Sequence, residues 1–363
     1  MHLYPVNLTK YQIEKIIKHM PNLLCISLCS LVLFGVQFSS AEEVAPQTEK
    51  FLAEKTLVAP VNTKIPSALV NFFTSQYYSP YVFLVDKKAR ELSVWEMQSN
   101  SLKKVATYPA DLGKNDGEKR ERNDQKTPSG IYFLERRLEG NGLDHKLYGE
   151  RAFTTNYPNY FDRLEGKGGS GIWFHAVPDT VALTRGSRGC VVVRNEVIKE
   201  VTQYIKLQKT PIIIQDELEL STPEDMKKIS DASTQMIENW RSSWQAKNID
   251  NYITFYDDDF KSNGMDVKRW KTFKGALNQT YKEIKVNFSK PMIFAYKNYA
   301  IARFLQAYRS DQHEDFGEKL IYLVKRGDTY KILGEEWVNE PDEVAKTEVI
   351  TSTTADSTSA SSR

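Results

Sequence analysis

The chain has 363 residues, of which 26% are charged and 40% hydrophobic, and its formal net charge is +2 at neutral pH. This near-neutral balance argues against a nucleic-acid-binding protein that relies on bulk electrostatic attraction. The length is sufficient for two domains of about 150 residues each.

The first 41 residues have the pattern of a secretory signal peptide. An apolar segment from Leu23 to Phe38 follows three lysines and ends in the small residues Ser39-Ser40-Ala41, which are typical of a cleavage site. We therefore predict cleavage after Ala41 and a periplasmic mature protein. An uncleaved membrane anchor is the alternative, because the apolar run approaches the ~18 to 20 residues that span a bilayer. Met20 is an alternative start of the chain.

Cleavage would remove Cys25 and Cys29 and leave Cys190 as the only cysteine of the mature chain. A single thiol cannot form an intramolecular disulfide, and in an oxidising compartment it is a liability unless it reacts. The chain contains no HxxxH, HExxH or CxxC pattern, so we expect no metal site.

Residues 80–216 carry short apolar runs that predict β-strands. Val82, Leu84, Leu92 and Val94 alternate with other residues on both sides of a polar Asp86-Lys87-Lys88 turn, which indicates a hairpin. Further strand-like runs are Gly130–Arg137, Ser170–Val177, Gly189–Val193 and Thr210–Gln215. Helical spacing of Val197, Ile198, Val201 and Ile205 predicts one short helix after the cysteine strand.

The pattern changes at Ser221 to that of a long amphipathic helix. Thr222 is the predicted N-cap, Pro223 lies in the first turn, and Asp225 would close a capping box. The predicted apolar face comprises Met226, Ile229, Ile237, Trp240 and Trp244. A strand at Tyr299–Tyr308 and a hairpin at Lys319–Leu333, turning at Arg326-Gly327-Asp328, follow. These elements predict a cone-shaped α+β domain.

This second half resembles the nuclear transport factor 2-like family, whose opening helices commonly carry paired Trp and paired Tyr residues. The matching positions here are Trp240, Trp244, Tyr252 and Tyr256. We predict that this aromatic stripe is core rather than a ligand cage, since aromatics at helical spacing are usually buried. The mouth of such a cone could still hold a pocket, whose ligand or protein partner the sequence does not identify.

The remaining boundaries follow from these two halves. Residues 42–79 form an N-terminal segment, in which the amphipathic stretch Ile65–Tyr78 would pack on the first domain or on a second subunit of a homodimer. Residues 217–235 are a linker and the start of the helix, and residues 236–340 form the second domain. Residues 341–363 lack apolar periodicity and are predicted to be disordered.

Cys190 and His175 are the candidates for chemistry in the first domain. A catalytic cysteine needs a base, an orienting partner for that base, and donors aimed at the developing oxyanion. Arg188 adds positive charge beside the thiol, and Gly189 lets backbone amides approach a substrate. The alternative is an inert, buried cysteine on an apolar strand. Isolation of this thiol in an exported protein favours the reactive interpretation.

The stretch HAVPDTVALTRGSRGCVVV, from His175 to Val193, resembles the catalytic motif of the L,D-transpeptidase (YkuD) family. Two more blocks of that family occur in the same order, at Leu112–Leu134 and at Tyr157–Arg163. The resemblance implies a mainly β L,D-transpeptidase catalytic domain over residues 80–216, followed by the α+β nuclear transport factor 2-like cone domain.

The resemblance also implies roles for individual residues. Cys190 would be the nucleophile and His175 the general base, with the backbone carbonyl of Ala176 orienting the imidazole. The amides of Gly189 and Cys190 would form the oxyanion hole. Such enzymes act on the peptide stems of peptidoglycan, attack the carbonyl on the L-centre of diaminopimelate, release the terminal D-alanine and need no cofactor.

Two departures from the family pattern bear on the reaction. Arg188 replaces the histidine that usually precedes Gly-Cys. Val192 stands two residues after the cysteine, where the family often has Arg or Asn, and the nearest arginine after it is Arg194. Arginine cannot act as a base but can grip a carboxylate with two hydrogen bonds. We therefore predict that Ser187, Arg188 and Arg194 bind the substrate.

The combination is most similar to the peptidoglycan L,D-carboxypeptidases that set cell shape in helical bacteria. A transpeptidase that cross-links or anchors stems through the same acyl-enzyme is the first alternative, and a non-catalytic wall-binding module is the second. The charged run Lys114–Lys126 is either a solvated loop or a lid over the substrate. His145 and Tyr148 stay outside the predicted catalytic set.

Overall fold

The computed structural model describes residues 64–99, 101–184 and 186–339. The predicted signal peptide, its membrane-anchor alternative and the predicted tail lie outside the described residues. No helix within those ranges is long and apolar enough to cross a lipid bilayer.

Strand β1 (Ile65–Pro66) opens the described chain and pairs with β10 (Leu220–Ser221). One large sheet then occupies the first half. Its eight strands are β2 (Tyr81–Asp86), β3 (Glu91–Gln98), β4 (Ser101–Pro109), β5 (Gly130–Glu139), β6 (Arg151–Thr155), β7 (Trp173–Val177), β8 (Val191–Arg194) and β9 (Pro211–Gln215). They lie in the order β4-β3-β2-β9-β5-β6-β7-β8, and only the β2–β9 and β7–β8 pairs are parallel. The sequence had not predicted β6.

The helices of this half are short. They are α1 (His145–Tyr148), α2 (Tyr160–Leu164) and α3 (Asn195–Val201), with 3-10 turns at Gly140–Gly142 and Thr202–Tyr204. Helix α3 is the helix predicted after the cysteine strand, and its buried residues are Val197, Ile198 and Val201. The mainly β character predicted for this domain is confirmed.

The second half packs helices on an antiparallel sheet. Its helices are α4 (Pro223–Gln245), α5 (Ile249–Ile253) and α6 (Val267–Thr280). Its strands are β11 (Lys261–Ser262), β12 (Met265–Asp266), β13 (Ile284–Phe288), β14 (Met292–Tyr296), β15 (Tyr299–Ser310), β16 (Glu314–Arg326) and β17 (Thr329–Asn339). The long strand β15 pairs on one edge with both β14, along its first part, and β13, along its last part. On its other edge β15 pairs with β16, which in turn pairs with β17. The predicted α+β architecture is confirmed.

Helix α4 begins as the sequence predicts but differs in two details. The Thr222 hydroxyl accepts a hydrogen bond from the Asp225 amide at 3.1 Å and donates one to the Asp225 carboxylate at 2.8 Å. The expected capping box is therefore wrong, because the carboxylate bonds the cap hydroxyl rather than the cap amide. Ile229 is 38% exposed, whereas Trp240 and Trp244 are buried as predicted.

The central strands of the large sheet are buried on both faces. Along β2, Val82 and Leu84 face one hydrophobic core, while Phe83 and Val85 face another. The first core is shared with residues of the second half such as Phe294. The second half therefore covers one face of the large sheet, and this interface is packed as a core.

The segment Ile65–Tyr78 contributes buried side chains to this shared core. Apart from the short strand β1, it contains neither a helix nor a further strand. Asn71 exchanges backbone hydrogen bonds with Ile293 of β14, at 3.0 and 2.9 Å, and its side-chain amide donates to the Pro291 carbonyl at 2.7 Å. The segment thus packs on the second domain as well as on the first, which the sequence had not predicted.

Candidate active site

His175 lies on β7, and Cys190 immediately precedes β8, the parallel strand beside it. Phe174 pairs with Val191 and His175 with Val192, so the same register extended by one residue places Cys190 opposite Trp173. Both candidate residues are buried, with 8% of Cys190 and 5% of His175 exposed. The thiol donates to the Gly171 carbonyl at 3.7 Å. The fold therefore brings together the two residues that the sequence singled out.

The ring of His175 is oriented by the carbonyl of Ala176, which lies 2.6 Å from Nδ1. A carbonyl oxygen can only accept, so Nδ1 must carry the proton. In the neutral ring Nε2 is then left with its lone pair free. The structure contains the orienting contact that the resemblance implied, and the free Nε2 is suited to accept a proton from a thiol.

Burial keeps both groups uncharged at rest. It lowers the pKa of His175 to about 4, although the hydrogen bond to Ala176 acts in the opposite direction. It also raises the pKa of Cys190 to about 11, although the backbone amide of Trp173 and the charge of Lys119 act against the rise. At neutral pH the pair is a thiol and a neutral imidazole, so a proton must move when the sulfur attacks.

The turn before Cys190 requires glycine at position 189. Gly189 has φ +122°, and a Cβ at this position would lie 2.6 Å from the Lys126 carbonyl oxygen. Its amide, implied as an oxyanion donor, donates to the Ser187 hydroxyl at 3.1 Å, and that hydroxyl donates to the Cys190 carbonyl at 2.8 Å. Ser187 thus stabilises the turn through these two hydrogen bonds. The Gly189 amide would have to break its hydrogen bond to the Ser187 hydroxyl before it could donate to an oxyanion.

The two arginines predicted to bind substrate differ in their surroundings. Arg188 is exposed on the nucleophile turn, and no described residue is bonded to its guanidinium. Arg194 instead donates to the carbonyls of Val181 and Asp179, and so anchors the loop that precedes the turn. Of the two, Arg188 is the one free to meet a ligand.

The charged run Lys114–Lys126 folds against the nucleophile turn and is not a freely solvated loop. Its Lys114 amide donates to the Ser187 carbonyl at 2.9 Å. Farther along, the Arg120 carbonyl accepts from the Gly168 amide at 2.8 Å. Lys119 is only 2% exposed. The run is thus attached to the nucleophile turn and to Gly168, while Lys114 to Gly117 and Arg120 to Asn123 are exposed to solvent.

Tyr148 and Asp111 also contribute to the site, although neither was predicted to belong to the catalytic or binding set. The Tyr148 ring lies edge-on to the His175 ring, with centroids 5.1 Å apart, and also contacts the Trp173 ring. The Asp111 carboxylate accepts from the Gly186 amide at 2.8 Å and from Arg90 at 2.6 Å. No spacing signal marks either residue, because both contacts are made across the fold.

A cavity of about 320 Å³ lies between the two halves, lined by residues such as Glu118, Lys167 and Lys297. Neither Cys190 nor His175 lines it. Within residues 64–99, 101–184 and 186–339, no group of three or more His, Cys, Asp or Glu side chains is placed to hold a metal ion.

Comparison with known families matches both halves of the chain. The L,D-transpeptidase catalytic domain (YkuD) matches residues 80–214. The Cds6 C-terminal NTF2-like domain, of the nuclear transport factor 2-like type, matches residues 232–336. A search of curated proteins found no match.

Solved structures are similar over most of the chain. Bd1075 from Bdellovibrio bacteriovorus is 46% identical, with a TM-score of 0.70, and the similarity covers 77% of this chain and all of that one. The helical cell shape determining protein Pgp2 from Campylobacter jejuni is 25% identical, with a TM-score of 0.61 and coverage of 73% of this chain and 95% of Pgp2.

Proposed function

Because this chain belongs to the L,D-transpeptidase (YkuD) family and joins that catalytic domain to a nuclear transport factor 2-like domain, we propose that it is a peptidoglycan L,D-carboxypeptidase. It would remove the terminal D-alanine from tetrapeptide stems through a cysteine acyl-enzyme. The observation that carries this proposal is the pairing of β7 with β8, which sets His175, with Nε2 free, on the strand beside Cys190.

The chemistry follows from the resting protonation states. Nε2 of His175 takes the proton from Cys190 as the sulfur attacks the carbonyl on the L-centre of diaminopimelate. The oxyanion that forms is held by the Cys190 amide and, once it leaves Ser187, by the Gly189 amide. The carbon–nitrogen bond then breaks, and His175 returns the proton to the departing D-alanine amine.

Water completes the proposed reaction. His175 takes a proton from the water, the hydroxide attacks the thioester carbonyl, and the thiol is regenerated as the tripeptide acid leaves. A transpeptidase would need to bind the amine of a second stem next to the thioester and to keep water away. We favour hydrolysis because Arg188 and Val192 stand where the transpeptidase pattern has polar residues beside the nucleophile. The exposed guanidinium of Arg188 is suited to the C-terminal carboxylate of the tetrapeptide donor, which both reactions share.

The experiment is to incubate the purified protein with a disaccharide tetrapeptide and to separate the products by mass. We expect tripeptide and free D-alanine, and no turnover by Cys190→Ala or His175→Ala. Arg188→Ala should raise KM more than it lowers kcat if the guanidinium binds the substrate carboxylate equally strongly in the ground and transition states. Arg136→Ala is the matched control, since Arg136 is exposed on β5, which is not a neighbour of β8.

Other products would identify the alternatives. Cross-linked dimers or D-amino-acid exchange as the main products would refute hydrolysis and favour a transpeptidase. Binding of the stem without turnover by the unaltered protein would favour the non-catalytic wall-binding module. Full activity of Cys190→Ala would rule out the thiol mechanism altogether.

The proposed substrate requires that the protein be exported. We propose a periplasmic mature protein that begins at Glu42, on the basis of the apolar segment and the small residues that end it. N-terminal sequencing of the protein recovered from the periplasm tests this, and a cytoplasmic protein that retains residues 23–38 would contradict it.

A further inference from the structure

A second cavity, of about 530 Å³, lies between the two halves of the molecule. Neither Cys190 nor His175 lines it, so it is not the pocket of the nucleophile. Both halves contribute to its wall, which includes Phe133, Glu135, Asn156 and Arg303. We propose that this cavity binds a free amino acid, with its carboxylate on Arg303 and Asn156 and its ammonium group facing Glu135. The proposal does not depend on the proposed hydrolysis.

Arg303 is a buried cation with hydrogen-bond donors to spare. It is only 4% exposed, which is uncommon for arginine because burying a charge is costly. Of its five N–H donors, Nε bonds the Glu318 carboxylate at 2.7 Å and Nη1 bonds the Gln208 carbonyl at 2.9 Å. Nη2 forms no hydrogen bond with any residue that the structure describes. A guanidinium with an unused nitrogen at a cavity wall is suited to bind a carboxylate.

The partner of Arg303 does not belong to it alone. The Glu318 carboxylate also accepts from Lys209 Nζ at 2.9 Å. The guanidinium itself lies over the Phe133 ring, 4.1 Å from its centroid, and this contact fixes the orientation of the guanidinium. A ligand carboxylate on Nη2 would add a second acceptor to a charge that water screens only weakly.

Asn156 offers a second set of unused donors. Its side chain accepts from the Phe133 backbone amide at 2.9 Å, and because that amide can only donate, the accepting atom is Oδ1. The other side-chain atom, Nδ2, has no partner among the described residues. Phe133 therefore contacts both groups, Asn156 through its amide and Arg303 through its ring. The unused donors of both residues lie around one residue in the wall of one cavity.

Glu135 favours an amino acid over a simple anion. It is half-buried on β5, two positions beyond Phe133, which is about 7 Å along a strand. Its carboxylate forms neither a hydrogen bond nor an ion pair with the part of the chain that the structure describes. It would repel a simple anion, whereas it would attract the ammonium group of an amino acid. With a hydrogen bond of about 3 Å at each end, one amino acid bridges a gap of this size.

The other charged groups of the cavity are already paired. Arg163 pairs with Glu336 at 3.0 Å, and Lys209 pairs with Glu318 at 2.9 Å. The charges left for a ligand are therefore one guanidinium and one carboxylate. This combination is complementary to a zwitterion.

The test is isothermal titration calorimetry of the whole protein with D-alanine, the amino acid that the proposed reaction releases. Acetate, which has only the carboxylate, and D-alaninamide, which has only the ammonium group, are titrated in parallel. We expect D-alanine to bind more tightly than either. Asn156→Asp keeps the acceptor for the Phe133 amide but replaces the Nδ2 donors with a negative oxygen. It should weaken D-alanine binding about tenfold or more.

Two more variants separate the ends of the ligand. Glu135→Gln should weaken D-alanine binding about tenfold but should not weaken acetate binding. Arg303→Lys removes Nη2 and should weaken the binding of both. Because Arg303 also bonds Glu318, thermal unfolding shows whether this variant is folded, and the Asn156 and Glu135 variants carry the test if it is not.

Asn298→Asp is the matched control. Asn298 is exposed on the turn between β14 and β15, and it lines the other cavity rather than this one. The same substitution there should leave the affinity for D-alanine unchanged.

An absence of binding heat with D-alanine would overturn the proposal, and so would equal affinity for acetate or an equal loss in Asn298→Asp. Unchanged affinity in Asn156→Asp would place the amino acid elsewhere, for example at the nucleophile as a product, and would also overturn it. These titrations involve no turnover, so a protein that fails to hydrolyse tetrapeptide could still bind the amino acid, and the reverse also holds.

Discussion

Glu318 on β16 ties three parts of the molecule together, and its replacement by alanine should be severely destabilising. Its carboxylate bonds Arg303 Nε of β15 at 2.7 Å and Lys209 Nζ, just before β9, at 2.9 Å. It also accepts from the Tyr77 hydroxyl of the N-terminal segment at 3.3 Å. Arg303 in turn donates to the Gln208 carbonyl at 2.9 Å.

The magnitude follows from burial. Glu318 is 1% exposed, and the side chains of Arg303 and Lys209 are 5% and 9% exposed. Burial would raise the pKa of Glu318, but the charges of Arg303 and Lys209 outweigh it and hold the pKa below its usual range. Glu318→Ala would leave two buried cations without their carboxylate, which typically costs about 3 to 5 kcal/mol. A loss of about 4 kcal/mol is on the order of a thousandfold in the folding equilibrium.

Urea unfolding followed by tryptophan fluorescence measures this loss. The matched control is Glu314→Ala on the same strand, since Glu314 pairs with Arg309 at 2.8 Å while both side chains are more than two-thirds exposed. That exposed pair should contribute less than about 1 kcal/mol. Equal stability of the two variants would refute the idea that the buried carboxylate neutralises its partners.

Two further predictions concern the active site. Since the base must be neutral and burial lowers the pKa of His175 to about 4, kcat/KM should fall on the acid side with a midpoint near pH 4. A midpoint near the ordinary histidine value of ~6.5 would contradict this. Gly189→Ala should abolish turnover, because its Cβ would lie 2.6 Å from the Lys126 carbonyl oxygen at a φ of +122°. The control is Gly166→Ala, since a Cβ at position 166 would meet no atom within 4 Å. A normal kcat in Gly189→Ala would show that the turn is not as rigid as described.

The local pattern was sufficient for much of the fold. Alternating apolar residues predicted the hairpin after Tyr81, and helical spacing predicted the helix that carries Trp240 and Trp244. Such patterns are readable because strands repeat every two residues and helices every 3.6. The strand β6 was missed, since Arg151–Thr155 is short and its two apolar residues, Ala152 and Phe153, are adjacent and so do not alternate with polar ones.

The pairing of Cys190 with His175 was also open to prediction. Motif order suggested the two residues, and the structure places His175 on β7 and Cys190 directly before the neighbouring parallel strand β8. Lys119 was not predictable, because in sequence it is one of several charged residues in a run that looks solvated. Its burial depends on how the loop folds back onto Gly168 and Gly169, which are about 50 residues away in the chain.

The sequence by itself determined the periodic elements, the two domains and the residues that carry the chemistry, because these depend on neighbours in the chain. Tertiary structure alone decided which charges are buried and which faces are shared. The second face of the β2 strand is covered by the nuclear transport factor 2-like half, and Glu318 meets Lys209 from 109 positions away. Burial and electrostatic pairing depend on distance in space, and a linear pattern does not contain that distance.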